Sequence, residues 1–271
     1  MNITRWEDLA QLVAAARNQG RVLTNFFADK DRMSPWCDAG TVDVDTAVDV
    51  TFLLHAQDGF TNVYFLAKDD HALRRGLANL LTARSDVRLV VDVLGPDRVR
   101  LPLEDAFKAN GFAVQTVLQR MGRRTPVESY EADPSVVVAS EGDVSLVKDL
   151  LTIYFNAEQE QLPSVEELRK WRAVGGLRVV HGADGRVEGF VIYDLSPAQL
   201  YLRYWFVHPE ARRKGIGGKL LRTMFASGSV TKRQYFWVKT DNENAIIRYR
   251  HYGFAFEPMK NTVLAVGGMR K

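Results

Sequence analysis

The chain of 271 residues has one cysteine, Cys37, so no disulfide can form within it and no cluster of thiolates can hold a metal. A reducing compartment fits that usage. A large excess of charge of one sign is also missing. The 36 Lys and Arg nearly balance the 33 Asp and Glu, and the net +3 suits a small anion as readily as a nucleic acid. The basic residues concentrate at one loop, and no aromatic and basic interleaving along a face is read from the sequence, so no nucleic-acid partner is expected. Long apolar runs are missing too. None approaches the roughly 20 residues of a membrane span, and the first ten residues, MNITRWEDLA, carry charges where a secretory leader would be apolar. A cytoplasmic protein without membrane contact is expected. Core material is plentiful: 46% of the residues are apolar, too many for a disordered chain, and the length suits two domains.

Periodicity predicts a helix over Trp6–Arg17 and a strand pair, Asp49–His55 and Asn62–Ala67, turned at Asp58-Gly59. A helix at His71–Leu81, a strand at Val87–Leu94, a short helix at Leu103–Asn110 and a strand at Phe112–Met121 follow. The polar, proline-bearing stretch Arg123–Ser135 reads as a boundary between domains at 1–125 and 133–271. Beyond it come a strand at Val136–Ala139, helices at Asp143–Tyr154 and Val165–Trp171, and strands at Leu177–His181, Arg186–Tyr193 and Gln199–Val207. A helix at Gly217–Ser227, a strand at Gln234–Lys239, a helix at Asn244–His251 and one or two strands over Ala255–Val266 complete a mixed α/β pattern.

The two halves resemble each other. Tyr64–Leu81 aligns with Tyr204–Leu221 without a gap, a displacement of 140 residues, and Phe107–Val114 matches Tyr249–Phe256 at nearly the same displacement. A duplicated domain is the expectation.

In the second half a strand ending at Val207 runs through His208-Pro209 into Arg212-Arg213-Lys214-Gly215-Ile216-Gly217-Gly218 and an apolar helix. Helix starts leave backbone N–H groups without partners and carry partial positive charge, so they suit phosphate oxygens. Gly215 and Gly217 would let a diphosphate approach, and Arg212, Arg213, Lys214, Lys219 and Arg222 would surround it with positive charge. The segment Arg212-x-x-Gly215-x-Gly217 resembles motif A of the GNAT superfamily of acyl-CoA-dependent N-acyltransferases, and Asn242, Ala245, Tyr249, Gly253 and Phe254 are in register with its motif B. The resemblance covers about 136–267.

It implies two GNAT-like domains, each a mixed, mostly antiparallel central sheet flanked by helices, with acetyl-CoA as donor cosubstrate, no metal, and a small-molecule or peptide amine as acceptor. A monomer or homodimer is expected. It further implies that the strand before the glycine loop splays from its neighbour, so that Trp205, Phe206 and Val207 meet pantetheine and the acyl oxygen. Asn242 would touch the pantetheine arm, with Tyr252 beside Tyr249, and Tyr249 would protonate the departing thiolate. Arg203 and Tyr204 fall on the acceptor side, where an arginine suits a substrate carboxylate or, equally, a neighbouring Asp or Glu. No carboxylate occupies Arg203–Trp205 or Phe236–Val238, which leaves Glu188, Glu158 and Glu160 as candidates to act through water, or an amine that arrives neutral. His208 and His251 read as surface residues. At the displacement of 140, Arg75 and Leu77 replace the two glycines, so the first copy is expected to have lost the coenzyme. A non-catalytic acyl-CoA sensor is the alternative.

Overall fold

The computed structural model describes residues 1–126 and 130–268, so residues 127–129 of the expected linker lie outside it. The first half contains β1 (Asn2–Ile3), α1 (Trp6–Asn18), β2 (Leu23–Thr24), α2 (Lys30–Asp38), β3 (Val42–Ala47), β4 (Val50–Ala56), β5 (Thr61–Ala67), α3 (Asp70–Ala83), β6 (Leu89–Gly95), α4 (Asp97–Ala109) and β7 (Ala113–Arg124). The second contains β8 (Val137–Val138), α5 (Glu141–Tyr154), α6 (Ala157–Glu160), α7 (Val165–Ala173), β9 (Leu177–His181), β10 (Val187–Leu195), β11 (Gln199–Val207), α8 (Ile216–Ser227), β12 (Arg233–Lys239), α9 (Glu243–His251) and β13 (Ala255–Val266). Except that the first half has β2 where the second has α6, the two halves repeat one order of elements, in keeping with the duplication expected from the sequence.

By its contacts the chain forms two units, Met1–Leu118 with the segment from Pro258 onward, and Gln119–Glu257. This differs from the expected split in two respects: the boundary falls inside β7, between Leu118 and Gln119, and not in Arg123–Ser135, and most of the last strand groups with the first unit. Lys260–Val266 pairs antiparallel with Gly95–Leu89, a partner about 170 residues distant in sequence that no local pattern reveals.

In the first unit β1, β3, β4 and β5 pair antiparallel in that order, and β5 is parallel to β6. The alternation of β4 and β5 supplies both faces. Phe52, Phe65 and Val63 meet Leu73 and Leu77 of α3 and Phe107 of α4, while Leu53 and Leu66 join Leu9 and Val13 of α1. The second unit repeats the scheme with β8, β9, β10 and β11 antiparallel and β11 parallel to β12. Helices α8 and α9 cover one face through Leu220, Leu221, Met224 and Ile246, and α5 and α7 cover the other through Val147, Leu151 and Leu168.

One start differs from expectation by several residues, and the expectation lacks β1, β2, α2, β3 and α6. Helix α4 begins at Asp97, not Leu103, with Pro102 tolerated inside it, and α2 likewise contains Pro35. Strand β3 points Val42 and Val44 inward, with Asp43 and Asp45 between them.

Candidate functional site

Strands β11 and β12 run parallel but pair only at Gln199–Leu202 against Arg233–Phe236, while both continue, to Val207 and Lys239. The sheet therefore opens beyond Leu202. A bulge accompanies the opening. On β10, Tyr193 faces Leu202 and Ile192 faces Tyr204, so Arg203 is the extra residue on β11. The bulge also resets the alternation: Leu200 and Leu202 point to the α8 face, and so do Trp205 and Val207, while Tyr204 and Phe206 point to the α5 face.

From Val207 the chain passes through a single 3-10 turn, Pro209–Ala211, to Arg213 at φ 69° and Gly215 at φ 76°, and α8 starts at Ile216. No side chain caps this start, so the amides of Ile216, Gly217 and Gly218 have no capping side chain. The two glycines act for different reasons. A Cβ at residue 215 would meet open space, and the need for glycine is its left-handed backbone. A Cβ at residue 217 would stand 2.7 Å from Cζ2 of Trp205, so here glycine lets the helix close onto β11. That refines the expectation that both simply clear room for a diphosphate. Arg212, Arg213 and Lys214 are exposed around the loop, and the Lys214 ammonium lies 2.7 Å from Oε1 of Glu188.

Between β11, α8 and α9 lies a cavity of about 430 Å³, lined by Trp205, Gly218, Ile247, Arg248, His251 and Tyr252 among others. The indole Nε1 of Trp205 is buried and has no hydrogen-bond partner among the described residues. Tyr249 is not among the lining residues. Its ring packs on Phe236 at 3.9 Å and on Trp205 at 5.7 Å, and burial pushes its hydroxyl well above the ordinary tyrosine pKa. Tyr252, one turn away on the same segment, does line the cavity, and His251, exposed as the sequence suggests, borders it as well. Asn242 caps α9 by accepting from the Ala245 amide at 3.2 Å. Arg203 donates to Asp194 at 2.6 Å and stacks over Tyr201, so its fork already holds a carboxylate of this chain. Tyr204 sits at the opening and donates from its hydroxyl to the carbonyl oxygens of Glu160, at 2.8 Å, and Gln161, at 3.0 Å.

One expectation needs correction. Aromatic and basic side chains do interleave on the sheet: the rings of Tyr201 and Tyr235 stack at 4.7 Å, Arg233 and Arg120 lie over Tyr235, and Arg120 also lies over Trp237. The signal was the period-two pattern Arg233-x-Tyr235-x-Trp237. Both guanidiniums, Arg120 and Arg233, share the carboxylate of Glu257.

The first unit opens at the same place, since β5 and β6 pair only at Thr61–Leu89 and Asn62–Val90. Its opening is filled. Leu23 and Thr24 of β2 pair with Ala67 and Leu66 on that free edge, and the Asn25 side chain donates to the carbonyls of Val63 on β5, at 3.1 Å, and Asp92 on β6, at 3.0 Å, while accepting from the Phe65 amide at 2.9 Å. Helix α3 has no glycine loop. It starts six residues earlier than α8 in the aligned frame, and Asp69 caps it by accepting from the Ala72 amide at 2.8 Å. Arg75 and Leu77 accordingly lie within the helix, one exposed and one in the core, and not at its start.

Residues 144–254 match the acetyltransferase (GNAT) family model. None of the curated proteins compared matches the chain. Among solved structures, a GCN5-related N-acetyltransferase from Sphaerobacter thermophilus is similar with a TM-score of 0.58 at 12% identity, covering 95% of this chain and 91% of that one. An acetyltransferase of the GNAT family from Colwellia psychrerythraea gives 0.57 at 15%, covering 98% of each. A tandem GNAT protein from the clavulanic acid biosynthesis pathway gives 0.55 at 16%, covering 83% of each. At these identities the likeness is one of fold.

Proposed function

From the premise that residues 144–254 are a domain of the GNAT acetyltransferase family, we propose that the chain moves an acetyl group from acetyl-CoA to a primary amine of a small molecule, amino acid or peptide, using one site in its second unit. The observation that carries this reading is the pairing of two features in that unit: an uncapped helix start behind Gly215 and a sheet that opens beyond Leu202. Both leave backbone donors waiting for a ligand, and buried or half-buried donors without partners are costly.

In this reading the amides of Ile216, Gly217 and Gly218 take the diphosphate oxygens, with Arg212, Arg213 and Lys214 supplying charge. The freed edge of β11 at Trp205, Phe206 and Val207 offers peptide groups to the pantetheine arm and a donor to the acyl oxygen as negative charge develops there. Asn242, at the start of α9, lies toward the same arm. Tyr249, kept protonated by burial, gives its proton to the departing sulphur. Arg203 and Tyr204 border the acceptor, Arg203 through its pair with Asp194.

Calorimetric titration with acetyl-CoA is expected to show one site per chain, and a thiol reagent should report thiol release with some member of a panel of amines. No affinity for coenzyme A or acetyl-CoA would end the proposal. Binding without turnover on any amine favours the second reading, a non-catalytic acyl-CoA sensor, which gains weight because β11 and β12 carry no carboxylate at Arg203–Trp205 or Phe236–Val238.

A further inference from the structure

We propose that Glu160 is the group that takes the proton from the acceptor ammonium, an inference that rests on the acyl-transfer reading above. The chain carries no carboxylate on the two strands at the opening, yet α6 delivers one there. Its end is tied to both strands: the Tyr204 hydroxyl of β11 donates to the carbonyls of Glu160 and Gln161, and the Lys239 ammonium of β12 lies 2.5 Å from Oε1 of Glu160 and 3.0 Å from Oε1 of Gln159. Gln161 turns the chain back through a left-handed conformation at φ 46°, which holds the end of α6 over this spot.

The other oxygen of the same carboxylate decides its role. Oε2 of Glu160 is buried and accepts no hydrogen bond among the described residues. An acceptor removed from water without a donor costs about 1–3 kcal/mol, more for a charged group, and such a cost persists where a ligand supplies the missing donor. An ammonium has three N–H donors and a positive charge, which is what this oxygen lacks. Glu188 and Asp194 are engaged elsewhere. Glu188 holds Lys214 at the glycine loop, and Asp194 accepts from both Arg203 and the Trp171 indole. The charged and titratable groups around Glu160 are Lys239 on β12, Tyr204 on β11 and Glu158 on its own turn.

The step balances as follows. The ammonium nitrogen gives one proton to Oε2 of Glu160, which passes it to water after turnover. The neutral nitrogen forms the C–N bond to the acyl carbon, the C–S bond breaks, and a second proton from nitrogen ends on the sulphur, by way of Tyr249. Glu160 therefore matters only for an amine that arrives charged.

The experiment compares the full-length wild type, Glu160→Gln and Glu160→Asp, with saturating acetyl-CoA. The acceptors are lysine, spermidine, phenethylamine and glycinamide at pH 7, and methoxyamine, a weak base that is neutral at that pH. Acetyl-CoA affinity and thermal midpoint report whether each variant is intact. Glu160→Gln is expected to lose about 10²-fold in kcat/KM on the best charged amine. It should keep wild-type affinity for acetyl-CoA and match the wild type on methoxyamine, and Glu160→Asp should recover part of the loss. An equal loss on methoxyamine, or no loss on the charged amines, overturns the assignment, as does wild type that binds acetyl-CoA but acetylates none of the acceptors. Failure of the wild type to bind acetyl-CoA defeats the acyl-transfer reading itself.

Discussion

The two glycines of the loop invite substitutions that separate their roles. Gly215 sits at φ 76° with nothing near its missing side chain, so alanine there meets no atom but must adopt a left-handed backbone. That costs roughly 1–2 kcal/mol, and less for asparagine, whose short polar side chain tolerates this conformation. Gly217 presents the opposite problem. Alanine would place Cβ 2.7 Å from Cζ2 and 3.4 Å from Cε2 of Trp205, against roughly 3.5–4.0 Å for comfortable carbon contacts, so the ring must retreat by about 1 Å. Trp205 has little room behind it, because the Tyr249 ring lies 5.7 Å away and Tyr249 is itself clamped on Phe236. Overpacking of this kind costs about 1–3 kcal/mol, offset by up to about 1 kcal/mol from alanine's better helix propensity. The net, about 1–2 kcal/mol, falls on the two elements that frame the cavity, so affinity for acetyl-CoA should drop about tenfold. Calorimetry with acetyl-CoA and denaturant melts check both variants. Gly215→Asn should retain most of the stability that Gly215→Ala loses, and Gly217→Ala should weaken binding with a modest loss of stability. If Gly217→Ala binds as tightly as wild type, the contact with Trp205 does not shape the site. If Gly215→Ala and Gly215→Asn are indistinguishable, the left-handed backbone is not what residue 215 provides.

Asn25→Ala should destabilise the first unit by about 3 kcal/mol, since three hydrogen bonds of about 1 kcal/mol each are lost, while acetyl-CoA still binds at one site per chain; a second site appearing in calorimetry would show that Asn25 alone closes the opening. Asp143 is buried, which alone would raise its pKa, but bonds from His181 and Ser140 prevail and hold it below the usual carboxylate range. A depressed folded pKa contributes stability that is present above the unfolded value and lost as pH falls through the folded one. Asp143→Asn should therefore cost about 1–2 kcal/mol near pH 7, where it also weakens the capping box of α5, and the gap from wild type should narrow in melts near pH 3; a gap that stays constant would refute the linkage.

Local patterns made most elements legible. Gln199–Val207 was read with its true ends because alternating large residues are bounded by Ser196-Pro197 and His208-Pro209, and the glycine loop announced the start of α8. The misses have physical causes. Helix α2 was not expected and α4 was expected only from Leu103; each contains a proline, Pro35 or Pro102, and one missing amide is tolerable where the rest of the helix packs. The bulge at Arg203 could not be seen, because a single extra residue leaves composition unchanged while reversing which face Trp205 and Val207 occupy. Glu160 was nameable only as one of several glutamates. Its distinction comes from Lys239 and Tyr204, which lie 79 and 44 residues away. Likewise Arg203 found Asp194 across the bulge, a partner that only the folded register brings within reach.

The first unit shows how this architecture can close the same two gaps with its own chain. Its helix start carries its own carboxylate, Asp69, and its sheet opening carries its own strand and amide, Leu23–Asn25. Each filler is the chemical counterpart of what the second unit lacks: an anion at the helix start and hydrogen-bonding groups along the freed strand edge. A fold that can close both gaps with a few residues of its own chain has no structural need to leave them open. In the second unit neither is closed in this way, and among the described residues the buried indole N–H of Trp205, on the freed strand, has no hydrogen-bond partner. Unmade hydrogen bonds of this kind cost stability, so retaining two of them at adjacent places argues that one ligand spans both, with an anionic end and an amide-bearing arm. That requirement, and not the mere presence of glycines, is why the acyl-CoA reading is confined to the second unit.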